Sequence, residues 1–310
     1  MANEIVISGL GDLTLAEVLS TKFLLLLEDR NALPAHPAIQ LGYQGDIAAR
    51  GSNVIKVPHV GIFGYDILAT GTEGSATGNT ALSDGSSTLT VVQKDKVYEA
   101  SDLVRMIDAT GLIRQDVFAV DAVVSVGATM LDMVANLVDN FSATVGASGV
   151  NATVRNFLDL ITTLEVAKVV GPYLFMGHPV QWGDIRADVA TASGGAIQWN
   201  TEGNANLLNG MKGLGYKGKY LDVDVFTTTR VPTANGGADR AGGMFGAGAI
   251  IWADGTIPME SDPNQMVVAD KILFERIRSG RAGLTGYASR KFLGFSEGLD
   301  AAGASLITDA

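Results

Sequence analysis

The sequence predicts an α+β fold whose outlying segments need other surfaces to lie on. Three observations carry that reading: one long helical pattern at 113–141, two strand-like runs joined by a soft polar tip, and a middle region in which helical and strand-like stretches alternate. With 310 residues, one elaborate domain or two are equally open. An apolar fraction of 47% is ample for a core, and 38 glycines point to turns and close backbone contacts. Only 18% of residues are charged, which suits a chain that hides apolar surface in partners.

Residues 1–52 read as an arm. LTLAEVLSTKFLLLLEDR (13–30) has helical spacing, with Leu15, Val18, Leu19, Phe23 and Leu26 on one face, and Thr14 with Glu17 fits a capping box. NALPAHPAIQLGYQGDIAARGSN follows; its prolines, glycines and asparagines predict extended, irregular chain. Residues 53–69 and 88–99 read as two strands, the first carrying Pro58, which suits an edge. Between them lies TGTEGSATGNTALSDGSSTLT (70–90), in which fourteen of 21 residues are Thr, Gly or Ser. A lone two-stranded ribbon is marginally stable in water, so this one is expected to rest on something outside its own fold.

At 113–141, Ile113, Val117, Val120, Val124, Leu131, Val134, Val138 and Phe141 recur at helical spacing, and Asp121, Ser125, Asp132, Asn136 and Asp139 form a narrower polar stripe. As one helix it spans about 43 Å; the alternative is two helices broken at Gly127. A second helix is expected over 152–170, PYLFMG (172–177) reads as a short buried strand, and 179–191 reads as a helix with Pro179 in its first turn. GKYLDVDVFTTT (218–229) alternates as a strand, with Leu221, Val223 and Val225 on one face and Tyr220, Asp222 and Asp224 on the other. PTANGGADRAGG (232–243) reads as a flexible loop, AGAIIW (247–252) as a buried strand, and KILFERIRSGRAGLTGYASRKFLGFSEG (271–298) as returning strands.

Little in the sequence points to chemistry. The absence of cysteine excludes disulfides, thiolate catalysis and cysteine metal sites. His36, His59 and His178 each sit beside a proline, without partners at helical spacing, and read as turn or core histidines. Asp222 and Asp224 share a strand face as catalytic carboxylates can, but the solvent face of an edge strand is the plainer reading. Trp182, Trp199 and Trp252 read as packing residues. There is no HExxH, GxSxG or P-loop sequence, and GMFGAGA (243–249) lacks the dinucleotide-binding spacing. No catalytic, cofactor-binding or metal residue is assigned, and an enzyme is not expected. A net charge of −11 argues against general attraction to nucleic acid. One local exception, Lys271, Arg276, Arg278, Arg281, Arg290 and Lys291 with only Glu275 against them, is either a solvated strand face or a docking face for acidic neighbours. The N-terminus lacks a secretory pattern and FLLLL (23–27) is too short to cross a membrane, so synthesis in the cytosol is expected.

The order of parts resembles the major capsid protein of tailed bacteriophages, the Hong Kong 97 fold, over nearly the whole chain. VYEASDLVRMIDATGLIRQDVFAVDAVVSVGATMLDMV (97–134) is similar to the end of that family's extended loop leading into its spine helix. GPYLFMGHPVQWGDIRADV (171–189) resembles its axial domain, ILFERIRSGRAGLTGYASRKFLGFSEG (272–298) its closing peripheral strands, and AGASLITDA the short tails that end many such chains. The resemblance implies an N-terminal arm at 1–52, an extended β-ribbon loop at 53–100, a peripheral domain with the spine helix from 101–150 and 262–310, and an axial domain at 151–261. Loops near 194–206 and 232–243 are expected at the capsomer axes.

The same resemblance implies a structural protein of the virion, assembling with itself as hexamers and pentamers into an icosahedral shell around double-stranded DNA, without sequence-specific DNA binding, membrane or cofactor. A separate scaffolding protein, a portal and a decoration protein are the implied partners. Some family members cross-link through a loop lysine and a distant asparagine; here the tip 70–90 has no lysine, and Lys94 and Lys96 lie down the return strand, so a non-covalent shell is expected. Because the chain begins directly at the arm, the scaffold is expected to be separately encoded. Glu73 and Asp84 in the tip are expected to meet Arg276, Arg278 or Arg281 of a neighbour; exposed pairs contribute about 0–1 kcal/mol each and would set register more than strength. The alternatives are an encapsulin-type compartment with the same fold, a phage tail-tube subunit, and an α/β enzyme.

Overall fold

A computed structural model describes residues 36–46, 52–60, 84–103, 115–192, 216–256, 265–268, 272–279 and 283–309. The elements run β1 (Ile39–Asp46), β2 (Val54–Val60), β3 (Asp84–Thr90), β4 (Val92–Ser101), α1 (Gln115–Leu137), β5 (Thr144–Val145), α2 (Val154–Val166), β6 (Tyr173–Gly177), α3 (Pro179–Ala192), β7 (Tyr216–Tyr220), β8 (Val223–Thr227), β9 (Thr233–Ala234), β10 (Asp239–Phe245), β11 (Ile250–Thr256), β12 (Gln265–Val268), β13 (Ile272–Ser279), β14 (Leu284–Glu297) and β15 (Gly303–Asp309). The predicted helix at 13–30 lies outside the described residues, as does the expected axis loop at 194–206.

The strands make two sheets and a ribbon. In the first sheet the order is β1-β11-β14-β13-β12, and β4 also pairs with β14. Strand β14 is its spine: β4 runs along Leu284–Leu293, β13 along Leu284–Arg290 and β11 along Phe292–Glu297. The second sheet is ordered β5-β15-β10-β6-β8-β7, with β9 on β10. Strands β2 and β3 form the ribbon, whose register runs from Val54↔Thr90 to Val60↔Asp84, with Pro58 on an edge strand as its missing N–H requires.

Alternation along the second sheet sorts two cores. Leu174, Met176, Phe226 and Phe245 face α1, where Met130, Val134, Ala135, Val138 and Phe141 meet them together with Ile250, Leu293 and Phe295 of the first sheet. Phe175, Val223, Val225, Met244, Ala304 and Leu306 face the other way, onto Phe157, Leu160 and Leu164 of α2 and Trp182 and Ile185 of α3. The period of two along each strand puts successive side chains into different cores. Burying each large apolar side chain contributes about 1.5–3 kcal/mol.

Helix α1 runs unbroken through Gly127 and closes in a 3-10 turn at Val138–Asn140. Its buried stripe is Val123, Met130, Val134, Val138 and Phe141, one residue out of step with the expected Val124 and Leu131 in its first half. Helix α2 begins at a capping box: Thr153 Oγ1 accepts from the Asn156 N–H at 3.2 Å, and Asn156 Oδ1 accepts from the Thr153 N–H at 3.0 Å. Asp188 on α3 accepts the Val154 N–H at 2.9 Å and ties the two helices together.

Four expectations are corrected. Residues 218–229 do not form one strand: Leu221 and Asp222 both take positive φ, 49° and 62°, and turn β7 back onto β8 as a hairpin. Asp222 is in the turn, and Asp224 is wholly buried. Residues 232–243 are no flexible loop, since Asn235-Gly236-Gly237 turns β9 into β10, an interior strand paired with β15 and β6. Gly242 and Gly243 fit there because the space is full: a Cβ on Gly243 would lie 2.5 Å from Ala304 O and from Val138 Cγ1. Residues 303–309 are not a tail but strand β15, between β10 and β5. The chain at 36–46 is not irregular: from buried Ala38 and Ile39 it runs along the edge of the first sheet as β1, parallel to β11, with a bulge at Gly42 where Val57 and Leu89 approach. The two sheets therefore cut across the implied domain ranges, with β11 in the first sheet and β15 in the second.

Candidate assembly interface

The ribbon is rooted in its own chain. Ile55, Leu89 and Val91 pack on Ile251 and Ala253, with Val57 and Phe292 beside them. Two hydroxyls fix the root laterally: Ser87 donates to Gly298 O at 2.6 Å and Ser296 donates to Thr88 O at 2.8 Å. The described part of the ribbon thus rests on β11 and β14 rather than on an outside surface. After Val91 the return strand enters the first sheet as β4. There Lys96 Nζ binds Asp121 and, at 2.7 Å, the Ser125 hydroxyl, both on the polar stripe of α1, and lies over the Tyr98 ring. Tyr98 and Tyr287 each stack on Phe118 of α1. The ribbon, the sheet and the long helix are joined at this point.

Among the described residues, three of the basic side chains on these strands are met by acids of the same chain. Arg278 makes a two-pronged contact with Asp102, at 2.6 and 2.9 Å, and a third bond to Thr285 at 2.8 Å. Arg290 meets Glu275 at 2.6 Å across the β13–β14 pair. Lys291 is fully buried, 3.5 Å from the buried Asp254. Planar forks suit arginine–carboxylate pairing, while a buried lysine needs a counter-charge to remain in an apolar layer. Asp102 and Asp254 lie 176 and 37 residues from their partners (278 − 102 and 291 − 254), so a local charge count sees only Glu275.

Of the expected contact residues, Arg276 and Arg278 lie two apart on β13, opposite Tyr287 and Thr285. Asp84 opens β3 at the outer end of the described ribbon, opposite Val60. Glu73 and Arg281 lie outside the described residues.

The other candidates became structure. His36 is buried against Asp224. His178 accepts the Val180 N–H at 3.4 Å, and burial, then Arg240, hold its pKa below the ordinary histidine value. Trp182 packs with Phe157, Phe175 and Tyr220, and Trp252 stacks on Phe295; Trp199 lies outside the described residues. Among the described residues, no three His, Asp or Glu side chains converge as metal ligands would. Gln181 was missed by the sequence reading. It is wholly buried, accepts the His178 N–H at 3.0 Å, and donates to Arg240 O at 3.0 Å and Thr308 Oγ1 at 2.8 Å, pinning α3 to β10 and β15.

Neither a family model nor a curated protein sequence matches the chain. Solved structures do. The capsid of Ralstonia phage GP4 superposes with a TM-score of 0.57 at 13% identity, covering 88% of this chain and 86% of that one. The capsid of Myoviridae phage XM1 gives 0.56 at 12%, covering 88% and 90%. The holo-SrpI encapsulin complex from Synechococcus elongatus PCC 7942 gives 0.56 at 12%, covering 87% and 86%. The likeness is one of fold: the chain has the α+β, Hong Kong 97-type fold shared by tailed-phage capsids and encapsulin.

Proposed function

We propose that this chain is the major capsid protein of a tailed bacteriophage, many copies of which close into an icosahedral shell around double-stranded DNA. The carrying observation is the fold match, which spans nearly nine-tenths of both chains. The rooted ribbon supports it. Its base is fixed by the chain's own core, so the described strands leave that core as an ordered pair. A closed shell repeats one heterologous contact, and many modest contacts per subunit add up.

In this reading residues 1–52 are the arm, 53–100 the extended loop, 101–150 and 262–310 the peripheral domain, and 151–261 the axial domain, with β15 lending its strand to the axial sheet. Self-association as hexamers and pentamers, residence in the virion, and a scaffold, portal and decoration protein belong to the same proposal. Glu73 and Asp84 remain the acidic contacts, with Arg276, Arg278 and Arg281 of a neighbour as targets. Arg278 already holds Asp102, so a neighbour's carboxylate would join or displace that pair. A non-covalent shell fits the engagement of Lys96 by Asp121 and Ser125.

The encapsulin match favours a second reading, a compartment holding an enzyme cargo. Purifying the chain expressed with and without its neighbouring genes, followed by negative-stain imaging and analysis of the contents, separates the readings. Closed shells that fill with DNA support the first and shells carrying a co-purified enzyme the second. Open tubes, or a solitary monomer, would refute both.

A further inference from the structure

We infer that Asn235 is a site of spontaneous chemical modification: its side-chain amide is lost through attack by the backbone nitrogen of Gly236, which leaves a new carboxylate against Asp239. The inference is independent of the proposed function, because it rests on local chemistry.

The described asparagines differ in what stands next to the attacking nitrogen. Asn53, Asn136, Asn140, Asn151 and Asn156 are followed by Val54, Leu137, Phe141, Ala152 and Phe157, each with a Cβ beside that nitrogen. Asn235 is followed by Gly236. Both residues are exposed, with φ of 50° for Asn235 and 71° for Gly236, and a Cβ built on Gly236 or Gly237 meets nothing within 4 Å. The turn closes only a two-residue pairing between β9 and β10, so its backbone can leave the resting conformation without disturbing the sheet. Asn156 is tied into its capping box, and Asn136 lies inside α1.

In the reaction, the Gly236 nitrogen gives up its proton to solvent and bonds to Asn235 Cγ, closing a five-membered imide. The Cγ–Nδ2 bond breaks, and ammonia leaves after taking a proton from water. A second water then adds to one of the two ring carbonyls and the ring opens, giving aspartate or, through the other carbonyl, isoaspartate with the backbone running through the side chain. One water is consumed and one ammonia released overall, and nothing is oxidised or reduced.

The product matters because of what Asn235 holds. Its Nδ2 donates to Asp239, a wholly buried residue whose carboxylate also accepts the Gly149 N–H at 3.0 Å and a bond from Ser148. A buried carboxylate depends on such donors. The new carboxylate cannot donate, and it places a like charge at the same spot. The hairpin tip should then part from the turn at 147–150.

The test is to age the full chain in warm neutral buffer and map each asparagine by peptide mass spectrometry with fragmentation that distinguishes isoaspartate. Asn209–Gly210, outside the described residues, is mapped separately. The expected result is aspartate and isoaspartate at Asn235 while the five other described asparagines stay intact. Loss of most conversion is expected in Gly236→Ala and in Asn235→Gln, which keeps the amide but lengthens the ring to be closed. Hydrogen exchange at 147–150 should rise in the converted fraction. An intact Asn235, conversion no faster than at the other five, or undiminished conversion in the glutamine variant overturns the assignment. Unchanged exchange at 147–150 overturns the structural consequence.

Discussion

His36 donates from Nε2 to Asp224 Oδ2 at 3.1 Å in the interior of the protein. The Ala38 N–H donates to His36 Nδ1 at 3.1 Å, so that nitrogen keeps its lone pair and the ring proton is on Nε2. Tyr216 donates to the other Asp224 oxygen at 3.0 Å; burial first, and then the Asp224 charge, push its phenol well above the ordinary value. The pair fastens the start of the described chain to the second sheet, and a few residues later β1 joins the first sheet. Residues 36–46 are thus a strap between the sheets.

Removing the imidazole should therefore cost more than one surface hydrogen bond. His36→Leu leaves the buried Asp224 carboxylate with one fewer donor, a loss of about 1–3 kcal/mol, against about 1 kcal/mol for Tyr216→Phe. Urea unfolding of unassembled chain measures both. An unchanged midpoint for His36→Leu would mean that the strap holds nothing.

The Arg278–Asp102 fork gives a way to separate folding from assembly. Both side chains are about half exposed, so breaking the pair should cost the monomer about 1 kcal/mol or less. Charge reversal of Arg278 with Arg281 to Glu should nevertheless abolish shells. Restoring the internal pair by Asp102→Arg with Arg278→Asp then discriminates: shells that return assign Arg278 an internal role, and shells that stay lost assign it to a neighbour's carboxylate.

Acid should loosen the molecule at two named carboxylates. The Ser142 hydroxyl, then its N–H, hold Asp300 below the ordinary value of 3.8. Asp239 is held below it by Ser148, then Asn235, then the Gly149 N–H. A carboxyl depressed by folding adds stability that is complete above its unfolded pKa and fades as pH falls through the folded one. Glu297 has the opposite sign: burial, then the Asp300 charge, raise it, so folding disfavours its ionised form as pH rises. Unfolding midpoints between neutral pH and pH ~3 should fall for the wild type and fall less for Asp300→Asn. Parallel curves would remove Asp300 from the explanation.

What could be read from the sequence was whatever periodicity alone decides. The long helix, the second helix at 152–170, the strand at 173–177 and the helix opening at Pro179 were legible because each is a local pattern. The β7–β8 turn was not, because Leu221 and Asp222 take a left-handed turn without the glycine that usually marks one. Strand β10 was hidden by its glycines, which follow from crowding by β15, β6, Gln181 and the turn that closes α1, and only the fold reveals it. The charge pairs at Arg278 and Lys291 close over long sequence separations. Contacts between copies leave no local pattern of this kind, so the sequence offers only candidate charges for them.

Crowding at Gly243 can be measured. An added methyl in Gly243→Ala must displace Ala304 backbone and Val138 at once, so about 1–3 kcal/mol of overpacking is expected. Gly149→Ala has open space but a φ of 71°, and should cost less, about 1 kcal/mol from strain. Equal effects in thermal unfolding would show that crowding is not what keeps Gly243.

The ribbon offers the sharpest division between what folds the monomer and what builds a shell. Leu89 is fully buried at the root, among Ile55, Val91, Ile251 and Ala253, so Leu89→Ala should cost about 2–5 kcal/mol. Val60 and Asp84 are paired, so a two-residue Asn-Gly turn can replace 61–83 and close the hairpin there without touching that root. The shortened chain should unfold at the wild-type midpoint, because every described contact of the ribbon lies below the cut. If the outer ribbon reaches neighbouring copies, the same chain should form no closed shells under conditions in which the full chain does. Shells of normal size from the shortened chain would remove the ribbon from assembly. A collapsed midpoint would show instead that residues 61–83 support their own subunit.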